Sequence, residues 1–192
     1  MLAAYESYQL NGGRWIYLGS DGFYWISEYH PDNPNIIEVR KGEAGTRAWT
    51  ANPGEYNNAF DGKYGGLWRR NGRAPQVLSG VGFTSQGDHF GVPYRRTKES
   101  YDSKYSWIFD GIIDEIIGDF GLSGGGAAGF ELDRADINLG TPLNATIIAS
   151  SKGHDDSFVL VPEDILTHHD TWPHKPVEDL IRADIVYFDT PN

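Results

Sequence analysis

The sequence predicts an α/β domain, and three observations carry that expectation. A helical spacing opens the chain, short β-branched and aromatic runs recur from residue 14 to residue 188, and glycine loops separate them. The 192 residues are enough to take roughly 70% of the unfolded surface out of water on folding, so one domain over 1–192 with a real core is expected. With 24 glycines, 10 prolines and only 39% apolar residues, much of the backbone must turn, so the domain should be rich in loops.

At the start, Leu2, Tyr5 and Tyr8 fall at helical spacing, and Asn11, Gly12 and Gly13 end the pattern as a C-terminal cap would. Residues 14–18 then read as a strand that Gly19, Ser20, Asp21 and Gly22 break. Residues 36–40 read as a second strand, with Ile37 and Val39 on one side and Glu38 and Arg40 sharing the other with Ile36. From 41 to 96 no helical period persists, and glycine clusters at 42–45, 62–66 and 80–82 predict a loop-rich β excursion. Residues 105–117, dense in apolar residues of mixed period and interrupted by Gly111, fit a helix or a pair of short strands, with strand and turn the preferred reading, and 143–149 reads as a strand followed by a polar loop over 150–156. Pro162 and Glu163 look like the opening of a helix over 161–166, 168–178 is a connector rich in Pro and His, and 183–188 is the last strand. The first helix lacks a cap and the last strand ends uncovered, so truncation at both ends is expected.

The formal net charge of -11 and pI near 4.8 give a surface that repels phosphate, which argues against nucleic acid and anionic membrane as partners. Cysteine is absent, which excludes disulfides and thiolate chemistry and agrees with a reducing compartment. Met1 to Leu10 carries Glu6 where a signal peptide needs an apolar run, and apolar stretches such as 158–161 fall far short of the ~20 residues that span a bilayer. A cytoplasmic location is expected.

Four sets of residues invite a chemical reading. Gly124, Gly126 and Gly129 match a dinucleotide spacing, but no convincing strand precedes them and no long helix follows, so close backbone packing is the better reading and a backbone nest for an oxygen the alternative. His168, His169, Asp170 and His174 lie among prolines and read as a solvated loop and not as a metal site. His154, beside Asp155 and Asp156 after a strand end, fits either a general base or a capped surface loop. Glu38 is the most unusual acid, because a carboxylate within an apolar strand is rarely buried unless it is paired or ligating; Arg40 and Arg47 are its rival partners. Arg69, Arg70 and Asp61, with Tyr64 and Trp68, read as packing ahead of recognition.

The strings GGRWIYLGSDGFYW, IEVRKGEAGTRAW, GGLWRRNGRAP, GVGFTSQG, IIGDFGLSGGGAAGFELDRAD, LGTP, ASSKGHDDS and RADIVYFDTP, in this order, resemble the C-terminal domain of the large (beta) subunit of the N,N-dimethylformamidase family. The resemblance covers nearly the whole chain. It implies a class I glutamine-amidotransferase-like (flavodoxin-like) layered sheet, a fragment of a larger catalytic subunit, and hydrolysis of N-substituted formamides or other small linear amides to acid and amine. It also implies a mononuclear iron held by two tyrosines and a glutamate, a small accessory subunit and a homo-oligomer. A hard, oxygen-ligated cation suits such chemistry by polarising a carbonyl or activating water. By motif position Glu38 is the one metal ligand carried over, the tyrosines being expected ahead of GGRW and so missing here. His154 and Glu163 are candidates for acid/base work or for orienting the groups that do it. The sequence departs from the family pattern at Asp21, where asparagine is usual, and at Phe130, where an acid is usual, which bears on substrate and site polarity. The competing class is a non-catalytic, acidic and aromatic-rich module that binds carbohydrate or a protein partner.

Overall fold

The computed structural model describes residues 2–41, 52, 55–88, 90–120, 124–167 and 177–190. Helix α1 (Leu2–Leu10) forms where the spacing predicts it and is closed by Gly12 in the left-handed region. Residues 14–18 do not form a strand. Their Trp15 and Tyr17 turn inward onto Tyr5 and Phe23, with ring centroids 5.7 and 5.9 Å apart for Tyr5–Trp15 and Tyr17–Phe23, while Ile16 and Leu18 project outward, 81% and 91% exposed. The alternation of a strand is present, but aromatic packing takes the place of a ladder.

Strands β1 (Ser27–His30) and β2 (Asn33–Val39) make a two-stranded antiparallel hairpin. A short helix α2 (Pro75–Ser79), with Pro at its first turn and Gly80 as a left-handed cap, leads into β3 (Gly82–Gln86). β3 is the centre of a three-stranded sheet between β6 (Glu131–Arg134) and β8 (Val159–Leu160). A second sheet has the order β5 (Ile116–Ile117), β4 (Tyr94–Arg96), β7 (Thr146–Ser151) and β9 (Asp184–Tyr187). An extra residue on β7 between Ile147 and Ala149 breaks the register with β9, as β-bulges do. Helix α3 (Pro162–Thr167) begins at the proline that the sequence marks, and α4 (Val177–Leu180) precedes the last strand.

The α/β expectation, and with it the flavodoxin-like layered sheet, is overturned. Every strand pairing among the described residues is antiparallel. A parallel layer needs crossovers of a dozen or more residues, usually helical, and the four α-helices among the described residues run 9, 5, 6 and 4 residues. The sequence offered apolar runs without their pairing partners, and a helix followed by an apolar run is the same local pattern in either class. The β excursion over 41–96 is partly present as β3 and β4, with 42–51, 53, 54 and 89 outside the described residues.

Three small apolar clusters make the described core. Tyr24, Leu67, Phe83 and Val161 form one; Ala128, Leu132, Phe158 and Ala183 form the next; Tyr105, Phe109 and Ile148 form the third beneath β9. The first two flank the three-stranded sheet and bring residues 67–69, β6 and the start of α3 together.

Candidate functional site

The segment 24–26 runs beside 66–68, with Ile26 N–H donating to Gly66 O and Trp68 N–H to Tyr24 O at 2.8 and 3.0 Å. This fixes a 3-10 turn over Trp68–Asn71 and sets Arg69 against α3. There Asp164, fully buried, accepts from Arg69 Nη2 on one oxygen and Arg134 Nη2 on the other, at 2.8 and 2.9 Å. Arg134 donates further to Leu180 O and to Asp136, at 2.6 and 2.8 Å. Glu163 is buried next to Asp164 in the same helical turn. Burying charge is costly unless each charge is paired and hydrogen-bonded, and Asp164 meets that condition by bridging two guanidinia.

His154 follows the end of β7. Its Nε2 lies 2.8 Å from Ser151 Oγ, and that oxygen also accepts from Ala183 N–H at 2.7 Å. Because the backbone N–H uses one lone pair, the serine proton is free to point at the imidazole. The pair is not a nucleophile and base, since Ser151 is fully buried. Burial lowers the His154 pKa, opposed by the nearby Asp155, and the ring packs on Phe158 with centroids 4.5 Å apart. A lowered pKa keeps the imidazole neutral near pH 7.

A third cluster joins β6 to the loop after 14–18. Asp133 accepts from Tyr17 Oη at 3.0 Å and from Asp21 N–H at 3.1 Å, and Tyr17 Oη accepts from Gly22 N–H at 2.8 Å. The Asp133 carboxyl is raised to about 7, chiefly by burial and further by the Asp21 and Glu131 carboxylates, against the pull of the two hydrogen bonds. Tyr94, across the inter-sheet space, is raised to about 12 by burial and by Asp133 and Asp184. Asp21, Phe23 and Phe130 are the described non-glycine residues with positive φ, at 49°, 57° and 68°. Left-handed backbone at aromatic residues costs energy and persists only where the surroundings enforce it.

Glu38 sits on the inner face of the hairpin. Its Oε1 accepts from Arg40 Nε at 2.5 Å and Ala59 N–H at 3.0 Å, and Oε2 from Phe60 N–H at 3.1 Å. Burial alone would raise its pKa, but the bonds from Ala59, Arg40 and Phe60 outweigh that and hold the carboxyl below its ordinary value. Arg40 is thus one of the two rival partners read from the sequence, and Arg47 lies outside the described residues. Among the described residues no group of three or more His, Cys, Asp and Glu side chains gathers as a metal would require.

Glu38 and His154 share no described partner, the first tied within 38–60 and the second to Ser151 and Phe158. Glu163 lies beside Asp164 in the first turn of α3. The motif His168, His169, Asp170, His174 lies outside the described residues. The glycine loop packs as expected, since a Cβ on Gly126 would meet Pro93 N and Val92 C at 2.3 Å, and the residues after Gly129 form strand β6 and not a helix. Sequence reasoning missed Asp133, Arg134, Ser151 and Asp164. The available signal was ELDR, whose period of two puts Glu131 and Asp133 on one face and Leu132 and Arg134 on the other.

Comparison with known proteins supplies what the geometry does not. Residues 1–192 match the family described as N,N-dimethylformamidase beta subunit-like, C-terminal. The chain is 45% identical over 195 residues to the N,N-dimethylformamidase beta subunit of Paracoccus aminophilus, covering 98% of this chain and 25% of that one. It is 44% identical over 195 residues to the subunit of the same name from Alcaligenes sp, with the same coverage. The chain thus spans about a quarter of the length of the curated relatives it matches. It belongs to the N,N-dimethylformamidase beta subunit-like C-terminal family.

Proposed function

We propose that the chain forms part of an amide hydrolase of the N,N-dimethylformamidase kind, acting on N-substituted formamides or other small linear amides. Water adds across the C–N bond, its hydroxyl going to the acyl carbon and its proton to the departing nitrogen, to give an acid and an amine. The observation that carries this reading is the end-to-end match to subunits of that name at 45% identity. Within it, His154 and Glu163 handle protons or orient the groups that do, supported by the neutral imidazole and by the buried setting of Glu163. The mononuclear iron that the resemblance implies would draw most of its ligands from beyond the described residues. Glu38 would offer one oxygen, Oε2, which accepts from a single backbone N–H. The relatives' designation as beta subunits supports an assembly with a second kind of subunit, and a homo-oligomer is proposed with it. A cytoplasmic location accords with the absence of cysteine. Among the described residues no helix is long and apolar enough to cross a membrane.

The test is formate and amine release from N,N-dimethylformamide by a subunit of the relatives' full length that carries this chain. Turnover is expected, with His154→Ala and Glu163→Gln each lowering kcat on the order of 10²-fold or more at unchanged fold. Failure to release acid from any small N-substituted amide would remove the reading.

A further inference from the structure

We infer that Ser151 is a positioning residue that holds His154 as the neutral imidazole with its proton on Nδ1, so that in amide hydrolysis His154 offers a hydrogen-bond donor and not a base. This rests on the amide-hydrolase reading and narrows the part His154 plays in it.

Ser151 ends β7 and is fully buried. Gly153, at φ 80°, turns the chain, and the His154 ring comes back onto the serine. Distance fixes which way the ring faces. Nε2 stands 2.8 Å from Ser151 Oγ, whereas a ring turned over would put a carbon there, and a C–H group keeps its carbon about 3.3–3.6 Å from an oxygen.

Hydrogen-bond satisfaction then separates the three protonation states. Among the described residues, the partners of Ser151 Oγ are Ala183 N–H, from which it accepts at 2.7 Å, and His154 Nε2. His154 Nδ1 is buried with no partner among them. With the proton on Nε2, that N–H donates to Oγ, the buried serine proton finds no acceptor and the Nδ1 lone pair no donor. An imidazolium leaves the serine proton and Nδ1–H unmatched and adds a charge. With the proton on Nδ1, Ser151 Oγ–H donates to Nε2, and Nδ1–H alone is unmatched. Each buried polar group without a partner is costly, so this last state is favoured. The lowered His154 pKa, caused first by burial, accords with a neutral ring.

The nitrogen bonded to the serine decides what the ring can do. Nε2, the basic nitrogen, is taken by the serine proton, so the ring cannot draw a proton from water without giving up that bond. Nδ1–H is a donor that no described residue uses. A fixed N–H on a neutral imidazole polarises a carbonyl and stabilises the charge that builds on its oxygen, which amide hydrolysis requires.

The test is long-range 1H–15N NMR of the histidine rings of the 192-residue chain near pH 7, which reads the tautomer directly. The expected result for His154 is a pyrrole-like Nδ1 shift and a pyridine-like Nε2 shift. In Ser151→Ala the ring should go over to the Nε2–H form that an unconstrained histidine favours, exchanging the two shifts. A merely structural serine would not move them. Ser151→Thr keeps the hydroxyl and should keep the wild-type pattern. If neither variant folds, the wild-type shifts still decide. A pyridine-like Nδ1 in the wild type overturns the inference, as does a Ser151→Ala chain whose Nδ1 still carries the proton. Formate release by the longer subunit together with a pyridine-like Nδ1 would leave the hydrolase reading standing and remove this assignment alone. The expected tautomer without acid release from any small amide would remove the hydrolase reading and leave the hold of Ser151 on the ring.

Discussion

Asp133, 7% exposed, sits against a tyrosine hydroxyl and a backbone N–H with no cation among the groups that set its charge, and its carboxyl is raised to about 7 from an ordinary 3.8. A folded pKa above the unfolded one means that the folded state binds the proton more tightly. The stability this confers is fully present below the unfolded value and is lost as pH rises through about 7. Asp133→Asn, which cannot ionise, should therefore stabilise the chain at pH 8 by about 1–3 kcal/mol. The full linkage of about three pKa units is worth ~4 kcal/mol, and one altered hydrogen bond offsets part of it. The gain should vanish by about pH 4. Urea denaturation at both pH values checks this; an equal gain at each would mean that Asp133 does not titrate in this range. Ser151 offers a second residue-scale check. Its Oγ serves both the Ala183 N–H and His154, so Ser151→Ala should cost about 1–3 kcal/mol by leaving that buried N–H without an acceptor. A loss below half a kcal/mol in the same assay would remove the assignment.

Single elements show where local pattern stops short. The hairpin alternates as its sequence says, with Tyr29 opposite Ile37 and Glu28 opposite Glu38. Which face would meet the protein was not legible, because a period of two is symmetric until a partner is chosen. The polar face turned inward, where Arg40, Ala59 and Phe60 satisfy Glu38, and Ile37 is left 58% exposed. Ile37→Ser is accordingly expected to change the stability of this chain by no more than about 0.5 kcal/mol. A melting shift well beyond that would show the face to be packed. The loop over 124–129 is the opposite case. Gly126 lies so close to residues 92 and 93 that any side chain must move backbone, and Val92 pairs with Ala128 there. Gly126→Ala should cost about 1–3 kcal/mol or more, and a neutral outcome in chemical denaturation would contradict this close approach.

At the scale of the whole molecule, two antiparallel sheets and a hairpin are joined by loops and short helices, and Asp164 is the point at which distant parts meet. It links the turn at 68–71 to β6 and α3, and Arg134 carries the link on to Leu180. Removing its charge takes from Arg69 the carboxylate that holds it and from Arg134 one of its two carboxylate partners, Asp136 remaining. Asp164→Asn should cost about 3–5 kcal/mol, read as a lower urea midpoint with an unchanged slope. A loss under 1 kcal/mol would mean that the cluster is solvated and not a buried junction.

The sequence by itself determined the periods, the caps and the kinship. Pro162 opened α3, Gly12 closed α1, the 36–40 alternation held, and the motif strings named the family that the whole-length match bears out. These are local or historical properties, and each is written in a few adjacent residues. Only the tertiary structure decided that the strands pair antiparallel, that 14–18 stacks aromatic rings in place of joining a sheet, and that Asp133, Ser151 and Asp164 become buried polar centres. The physical reason is that strand direction, burial and charge compensation belong to pairs of residues far apart in the chain. Asp164 meets Arg69 from 95 positions away and Asp133 meets Tyr17 from 116, and no local pattern encodes which distant group arrives.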